Sequence, residues 1–301
     1  MEISLALGGG GAKGNAHIGV LRVLDREGFK VKALAGTSAG GLVGALYMAG
    51  FSPDQMLDRF TRIDQSKLFG HSDGEQPSLL GLSGMAKILY EMLGECTFED
   101  LTGPFAVTAV DINTGRPVVL REGRVFDAVM ATIAVPGIFP AREWGDYVLV
   151  DGGLSNPVPV DIARELAPNL PVVAVALTEL PEANETLPDP NYLGPMQVVE
   201  RISRLRVAQA LGVFMRSIDI SGRLITELRL EIDKPDVIIR PNLIGLGALD
   251  RVDVAEVSVI GEVAAEEMLP DLFSVVRWHT KWAKRLGIDR LVELMGSKET
   301  K

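Results

Sequence analysis

Ser38 lies in the stretch Gly36-Thr37-Ser38-Ala39-Gly40, immediately after the apolar run Val31-Lys32-Ala33-Leu34-Ala35. A Gly-x-Ser-x-Gly turn between a strand and a helix is tight, needs small flanking residues, and lifts the serine oxygen above a sheet where it can attack. The helix that begins after Ser38 aims its free amides and positive dipole end at developing negative charge. Gly and Ser also fill ordinary turns, so the motif needs partners before it means chemistry. An acyl-transfer nucleophile requires an oxyanion hole and a base.

A candidate for the hole comes earlier in the chain, in Gly8-Gly9-Gly10-Gly11-Ala12-Lys13-Gly14. Adjacent glycines let backbone amides approach a ligand closely, and the helix that follows adds its dipole. The letters Gly9-x-Gly11-x-x-Gly14 also fit a dinucleotide fingerprint. That fingerprint wants an acidic residue ending the second strand, where this chain has Ala35-Gly36. A phosphate-binding P-loop would need Ser or Thr after Lys13, where Gly14 stands. Both nucleotide readings are weak.

The base is harder to place. There are 3 histidines, His17, His71 and His279. His279 fits the order Ser, acid, His of the common α/β-hydrolases, but that fold lays down several strands before its elbow and only two precede Ser38 here. His17 falls inside the first helical pattern, and His71 sits in a long loop. A carboxylate serves instead if it is held against the serine and raised in pKa by an apolar setting. Asp151 has that setting, with Tyr147-Val148-Leu149-Val150 leading in and Gly152-Gly153 following. An Asx-turn that only ends the strand is the other reading of the same residues.

The elements that must hold these groups alternate in type. Short apolar runs predict strands over 3–7, 31–35, 105–110, 117–120, 147–150, 171–177 and 236–240, the third and fourth paired around Asn113-Thr114-Gly115. Helical spacing covers 12–27, 41–49, 86–93, 126–133 and 254–268, and Ser52-Pro53-Asp54 starts another helix. A long helical pattern over 197–230 is expected to break near Ser221-Gly222. Residues 65–84 read as a long loop, and Glu179 to Gly194 as a polar surface excursion. This order is the grammar of an α/β layered fold, counted as one elaborated domain.

Together the motifs resemble the patatin-like phospholipase family, in particular its bacterial members. GGGGAKG matches the glycine-rich oxyanion loop and AHIGVLRVL the helix after it; GTSAG matches the nucleophile motif, and DGGLSNPVP the Asp-Gly-Gly/Ala motif. TFEDLTGPFAVTAVDINTG and AVPGIFPA resemble the middle of such domains. The resemblance implies a three-layer α/β/α sandwich around a central, mostly parallel sheet. It implies a Ser38–Asp151 dyad without histidine, and Gly9, Gly10 and Gly11 as amide donors. Lys13, Gly14, Gly36, Gly40, Gly152 and Gly153 become motif-supporting residues. The implied activity is cleavage of lipid carboxylic esters, with no metal or cofactor. The alternatives are a general carboxylesterase for small soluble esters and an acyl-lipid-binding regulatory protein with little turnover.

Composition bounds the partners. The chain has 301 residues, 47% of them hydrophobic and 23% charged, so it can bury a sizeable core. Its net charge of −10 argues against general nucleic-acid binding. The one cysteine, Cys96, excludes an intramolecular disulfide and fits a reducing compartment. The chain start lacks the basic segment of a signal peptide, and no apolar run reaches the ~20 residues of a membrane span. A cytoplasmic protein is expected, its acyl hydrolase domain over 1–272 with catalytic motifs over 5–160. Residues 195–230 are read as a helical cover, either a mobile lid or packing. Residues 273–301 read as a basic amphipathic extension. Within it, 273–286 either packs its Trp face on the domain or makes peripheral contact with the inner membrane face.

Overall fold

In the computed structural model, residues 1–72, 76–178 and 198–286 are described, with side chains for all of these except 198–212, 215 and 278–286. β1 (Glu2–Leu7) leads through a 3-10 turn (Gly11–Asn15) into α1 (Ala16–Arg26), β2 (Lys30–Gly36) and α2 (Ala39–Met48). Then come α3 (Pro53–Thr61), α4 (Ser83–Leu93), β3 (Phe105–Asp111), β4 (Pro117–Leu120) and α5 (Val125–Thr132). β5 (Arg142–Trp144), β6 (Tyr147–Asp151), α6 (Val160–Leu166) and β7 (Val172–Val175) follow. The last elements are α7 (Val198–Asp233), β8 (Val237–Ile239), α8 (Val254–Glu267) and α9 (Leu269–Leu286).

The strands form one sheet in the order β5-β6-β3-β2-β1-β7-β8, with β4 beside β3. β8, β7, β1, β2 and β3 run parallel, while β4 and β6 run antiparallel to β3 and β5 antiparallel to β6. Successive side chains of a strand point to opposite faces, and the two faces differ in size here. Ile3, Leu5, Leu7 and Leu34 enter a large core with α1, α2, α4, α5, α8 and the start of α9. On the other face Ala174, Ala6, Ala35 and Ala106 stand in register across four neighbouring strands. That low row admits α6 and α7, whose Val160, Ile162, Ala163 and Leu230 cover it. The result is the expected three-layer α/β/α arrangement.

The expected hairpin of β3 and β4 forms, and α3 starts on a capping box, Ser52 Oγ accepting from Gln55 N and Gln55 Oε1 from Ser52 N. The expected break at Ser221-Gly222 does not occur: α7 runs without interruption from Val198 to Asp233. A helical glycine costs only about 1 kcal/mol relative to alanine. Burial of Arg223, Thr226 and Leu230 on the next turns offsets that, and Thr226 Oγ1 donates to the Gly222 carbonyl at 2.7 Å.

The division drawn between 272 and 273 falls inside α9, where Leu272 and Val276 are buried and Phe273 lies against Phe29 at 5.3 Å. The first turns of that helix therefore pack on the domain. The Trp face of 278–286, the excursion over 179–194 and residues 287–301 lie outside the described side chains or residues. Among the described residues no helix is long and apolar enough to cross a membrane.

Candidate active site

The register around β3 brings Ser38 and Asp151 together. β4 occupies one edge of β3 from Val107 to Val110. On the other edge β2 runs parallel and ends with Gly36 opposite Val107, while β6 runs antiparallel and ends with Asp151 opposite Ala109. The two strands share that edge and meet head to head, with only the Thr108 position between their carboxyl ends. The turn after β2 carries Ser38, and the end of β6 is Asp151.

Ser38 has φ 53° and ψ −123°, a left-handed conformation rare for a residue with a side chain. Such a backbone costs on the order of 1–3 kcal/mol and persists only when its surroundings fix it. Here Ser38 N donates to Thr132 Oγ1 at 2.9 Å, and Ser38 O accepts from Leu42 N in the first turn of α2. Gly40 is in contact with the Leu7 carbonyl, so any Cβ there would collide with β1. Gly36 lies under Gly40 and Gly41.

Thr37 joins this turn to the one that carries Asp151. Its hydroxyl donates to Asn156 O at 2.8 Å, since a carbonyl only accepts. The 2.7 Å contact with Thr108 Oγ1 is therefore donated by Thr108. The direction of the whole chain is fixed: Thr108 to Thr37 to Asn156. Gly152 packs on Thr108 so tightly that a side chain at 152 would displace it.

Asp151 is buried, and its Oδ1 accepts from Gly153 N at 2.8 Å. This is the Asx-turn left open by the sequence, and the same carboxyl group also contacts the Ser38 hydroxyl. Burial pushes its pKa up from 3.8 to about 6, against the hydrogen bonds from Ser38 and Gly153 that lower it. A carboxylate of that kind is ionised at neutral pH and more basic than an exposed one.

The glycine loop runs beside the serine, a Cβ on Gly9 lying 3.1 Å from Ser38 Cβ. Its three expected donors are not equivalent. Gly9 N already donates to Pro157 O at 3.0 Å, whereas Gly10 and Gly11 have no acceptor for their amides among the described residues. In this structure the Gly9 amide is therefore engaged by Pro157. Lys13 is buried in the 3-10 turn, with Lys13 N donating to Gly10 O, and Gly14 sits against Ala39 at the start of α2.

Neither His17 nor His71 pairs with the serine hydroxyl. His17 is buried in α1 with Nε2 2.8 Å from Gly8 O. His71 lies on an exposed loop with Nε2 3.3 Å from Ser78 O, and the side chain of His279 is outside the described set. Among the described residues no three His, Cys, Asp or Glu side chains gather as metal ligands. Sequence reasoning passed over Thr132, and Thr108 was present only as a letter of TFEDLTGPFAVTAVDINTG. Asn156 and Pro157 were present only as letters of the DGGLSNPVP motif.

A family model for Patatin-like phospholipase matches residues 5–164, a span that holds the glycine loop, Ser38 and Asp151. An uncharacterized NTE family protein of Mycobacterium tuberculosis is 33% identical over 166 residues, covering 53% of this chain and 44% of that protein. The patatin-like phospholipase domain-containing protein 6 of Mus musculus is 32% identical over 171 residues, covering 54% of this chain and 13% of that protein. The chain thus matches less than half the length of either relative. Among solved structures, VipD from Legionella pneumophila aligns with a TM-score of 0.47 at 12% identity, over 89% of this chain and 66% of that one.

Proposed function

The chain belongs to the patatin-like phospholipase family, and from that premise we propose that it is a serine acyl hydrolase in which Ser38 and Asp151 cleave carboxylic esters of lipids. The observation that carries the proposal is the approach of the Ser38 hydroxyl to a buried carboxylate of raised pKa, beside two amides that have no acceptor among the described residues.

Asp151, with a pKa of about 6, is too weak a base to ionise serine in the resting enzyme. Proton transfer accompanies attack instead, as the Ser38 oxygen bonds to the ester carbon and Asp151 takes the hydroxyl proton. The carbonyl oxygen becomes an oxyanion facing the Gly10 and Gly11 N–H groups, with the amino end of α2 adding its dipole. Collapse of this intermediate expels the alcohol, which leaves with the proton from Asp151, and an acyl-Ser38 ester remains. A water then gives its proton to Asp151 and attacks the acyl carbon. Release of the carboxylic acid returns the proton to Ser38.

Hydrolysis of p-nitrophenyl esters and covalent labelling by a fluorophosphonate test this directly. Both should vanish in Ser38→Ala, and a Ser38→Ala protein with wild-type turnover would refute the assignment. A panel of esters of rising chain length, run beside phospholipid and lysophospholipid, separates a lipid hydrolase from a general carboxylesterase. Labelling of Ser38 without turnover of any of them would favour the acyl-lipid-binding role.

A further inference from the structure

We infer that His17 is a positioning residue for the oxyanion loop: its ring locks the Gly8–Gly9 peptide so that the next two amides face the substrate carbonyl. The inference deepens the Ser38–Asp151 reading and rests on it.

The Gly8 carbonyl and the Gly9 N–H belong to one planar peptide unit. His17 Nε2 holds the carbonyl end at 2.8 Å, and Pro157 O holds the N–H end at 3.0 Å. Gly8 N, one residue back, is fixed on Val175 O at 2.9 Å. The peptide is therefore clamped on both sides at the point where four consecutive glycines, the least restricted backbone available, leave β1. Gly10 and Gly11 follow directly, and the direction of their N–H groups depends on that plane. Donors stabilise a transition state only when they are oriented beforehand.

The ring is a costly way to fill space. A carbonyl only accepts, so Nε2 carries the hydrogen and Nδ1 is bare, and that buried Nδ1 has no partner among the described residues. An unpartnered buried polar atom is destabilising, and a leucine among the buried Ile18, Val20 and Leu21 would avoid it. The donor at Nε2 is what a leucine lacks. Burial also pushes the ring's pKa down to about 4, so His17 is a neutral donor when Asp151 is ionised.

The test uses the full chain with His17→Gln, His17→Asn and His17→Leu. Glutamine carries an N–H at the same number of bonds from Cα as His Nε2, and asparagine carries it one bond short. With p-nitrophenyl butyrate, kcat should fall roughly 10- to 100-fold in the Asn and Leu variants with KM within about twofold, and the Gln variant should stay within about threefold of wild type. Equal losses in Gln and Asn, or wild-type kcat in Leu, overturn the inference. If the Leu variant does not fold, the Gln–Asn pair still decides. A wild-type protein with no esterase activity would refute the Ser38–Asp151 reading instead. Exchange of the Gly9 amide, read by NMR, then tests the clamp alone. It should quicken about tenfold or more in His17→Asn but not in His17→Gln, and unchanged exchange in His17→Asn sinks the clamp.

Discussion

The turn that carries Ser38 and the turn that carries Asp151 leave the same edge of β3 from opposite directions, yet their costs differ in kind. Ser38 bears backbone strain, at φ 53° and ψ −123°, with its amide held by Thr132. Asp151 has an ordinary backbone, φ −49° and ψ 130°, and its cost is the burial of a charge. One turn stores energy in geometry and the other in electrostatics. Substitutions should therefore separate the two: Asp151 variants respond to pH and Ser38 backbone variants do not.

The largest effect should come from Asp151→Asn, which keeps the shape and the Gly153 hydrogen bond but cannot accept a proton. The expected loss of kcat is on the order of 10⁴, as for a triad acid or base. In wild type, kcat/KM should rise through about pH 6 as Asp151 ionises and then level off. A pH–rate profile flat from pH 4 to 8 would remove Asp151 from the base role.

The same substitution should raise stability, and only above a certain pH. The folded pKa of about 6 lies above the ordinary 3.8. Below 3.8 the carboxyl is protonated in both states and burial costs little. As pH rises from 3.8 to 6 the unfolded chain ionises first, so the wild type loses stability, and above 6 the loss is constant. Asp151→Asn should therefore gain on the order of 2–3 kcal/mol over wild type at pH 8, and only about 0.5 kcal/mol near pH 4. Urea midpoints at the two pH values check this, and an equal difference at both contradicts it.

The readable part of the site was the part coded by local pattern. The strand–turn–helix around GTSAG and the apolar lead into Asp151 were visible because small residues and strand-like runs signal themselves. The meeting of the two turns was not visible, because it depends on β2 and β6 sharing one edge of β3, a matter of register between distant segments. The roles of Thr108 and Thr132 were missed for the same reason, since a threonine in a strand or at a helix end looks ordinary until its partner is known. The inequality among the glycines was also hidden. Nothing in GGGGAKG says that Pro157 takes the Gly9 amide. Continuity of α7 through Ser221-Gly222 shows tertiary burial overriding a weak local preference.

Smaller effects test the strained side. Thr132→Val keeps the volume but removes the acceptor for Ser38 N, leaving a buried amide unpaired at a cost of about 1–3 kcal/mol. The loss should be the same at pH 5 and pH 8, since no charge is involved, and kcat should fall with it because the elbow is less fixed. The smallest shift should come from comparing Ser38→Gly with Ser38→Ala, both inactive. Glycine occupies φ 53° without a Cβ penalty, so it should be more stable than alanine by about 1 kcal/mol in the folded state. Its freer unfolded chain opposes that gain by about 0.4–1 kcal/mol. A glycine variant at least as stable as the alanine variant means that the turn is strained. A glycine variant less stable than alanine by about 1 kcal/mol would mean that the turn relaxes when the hydroxyl is gone, and the contrast between the two turns would then lie in charge alone.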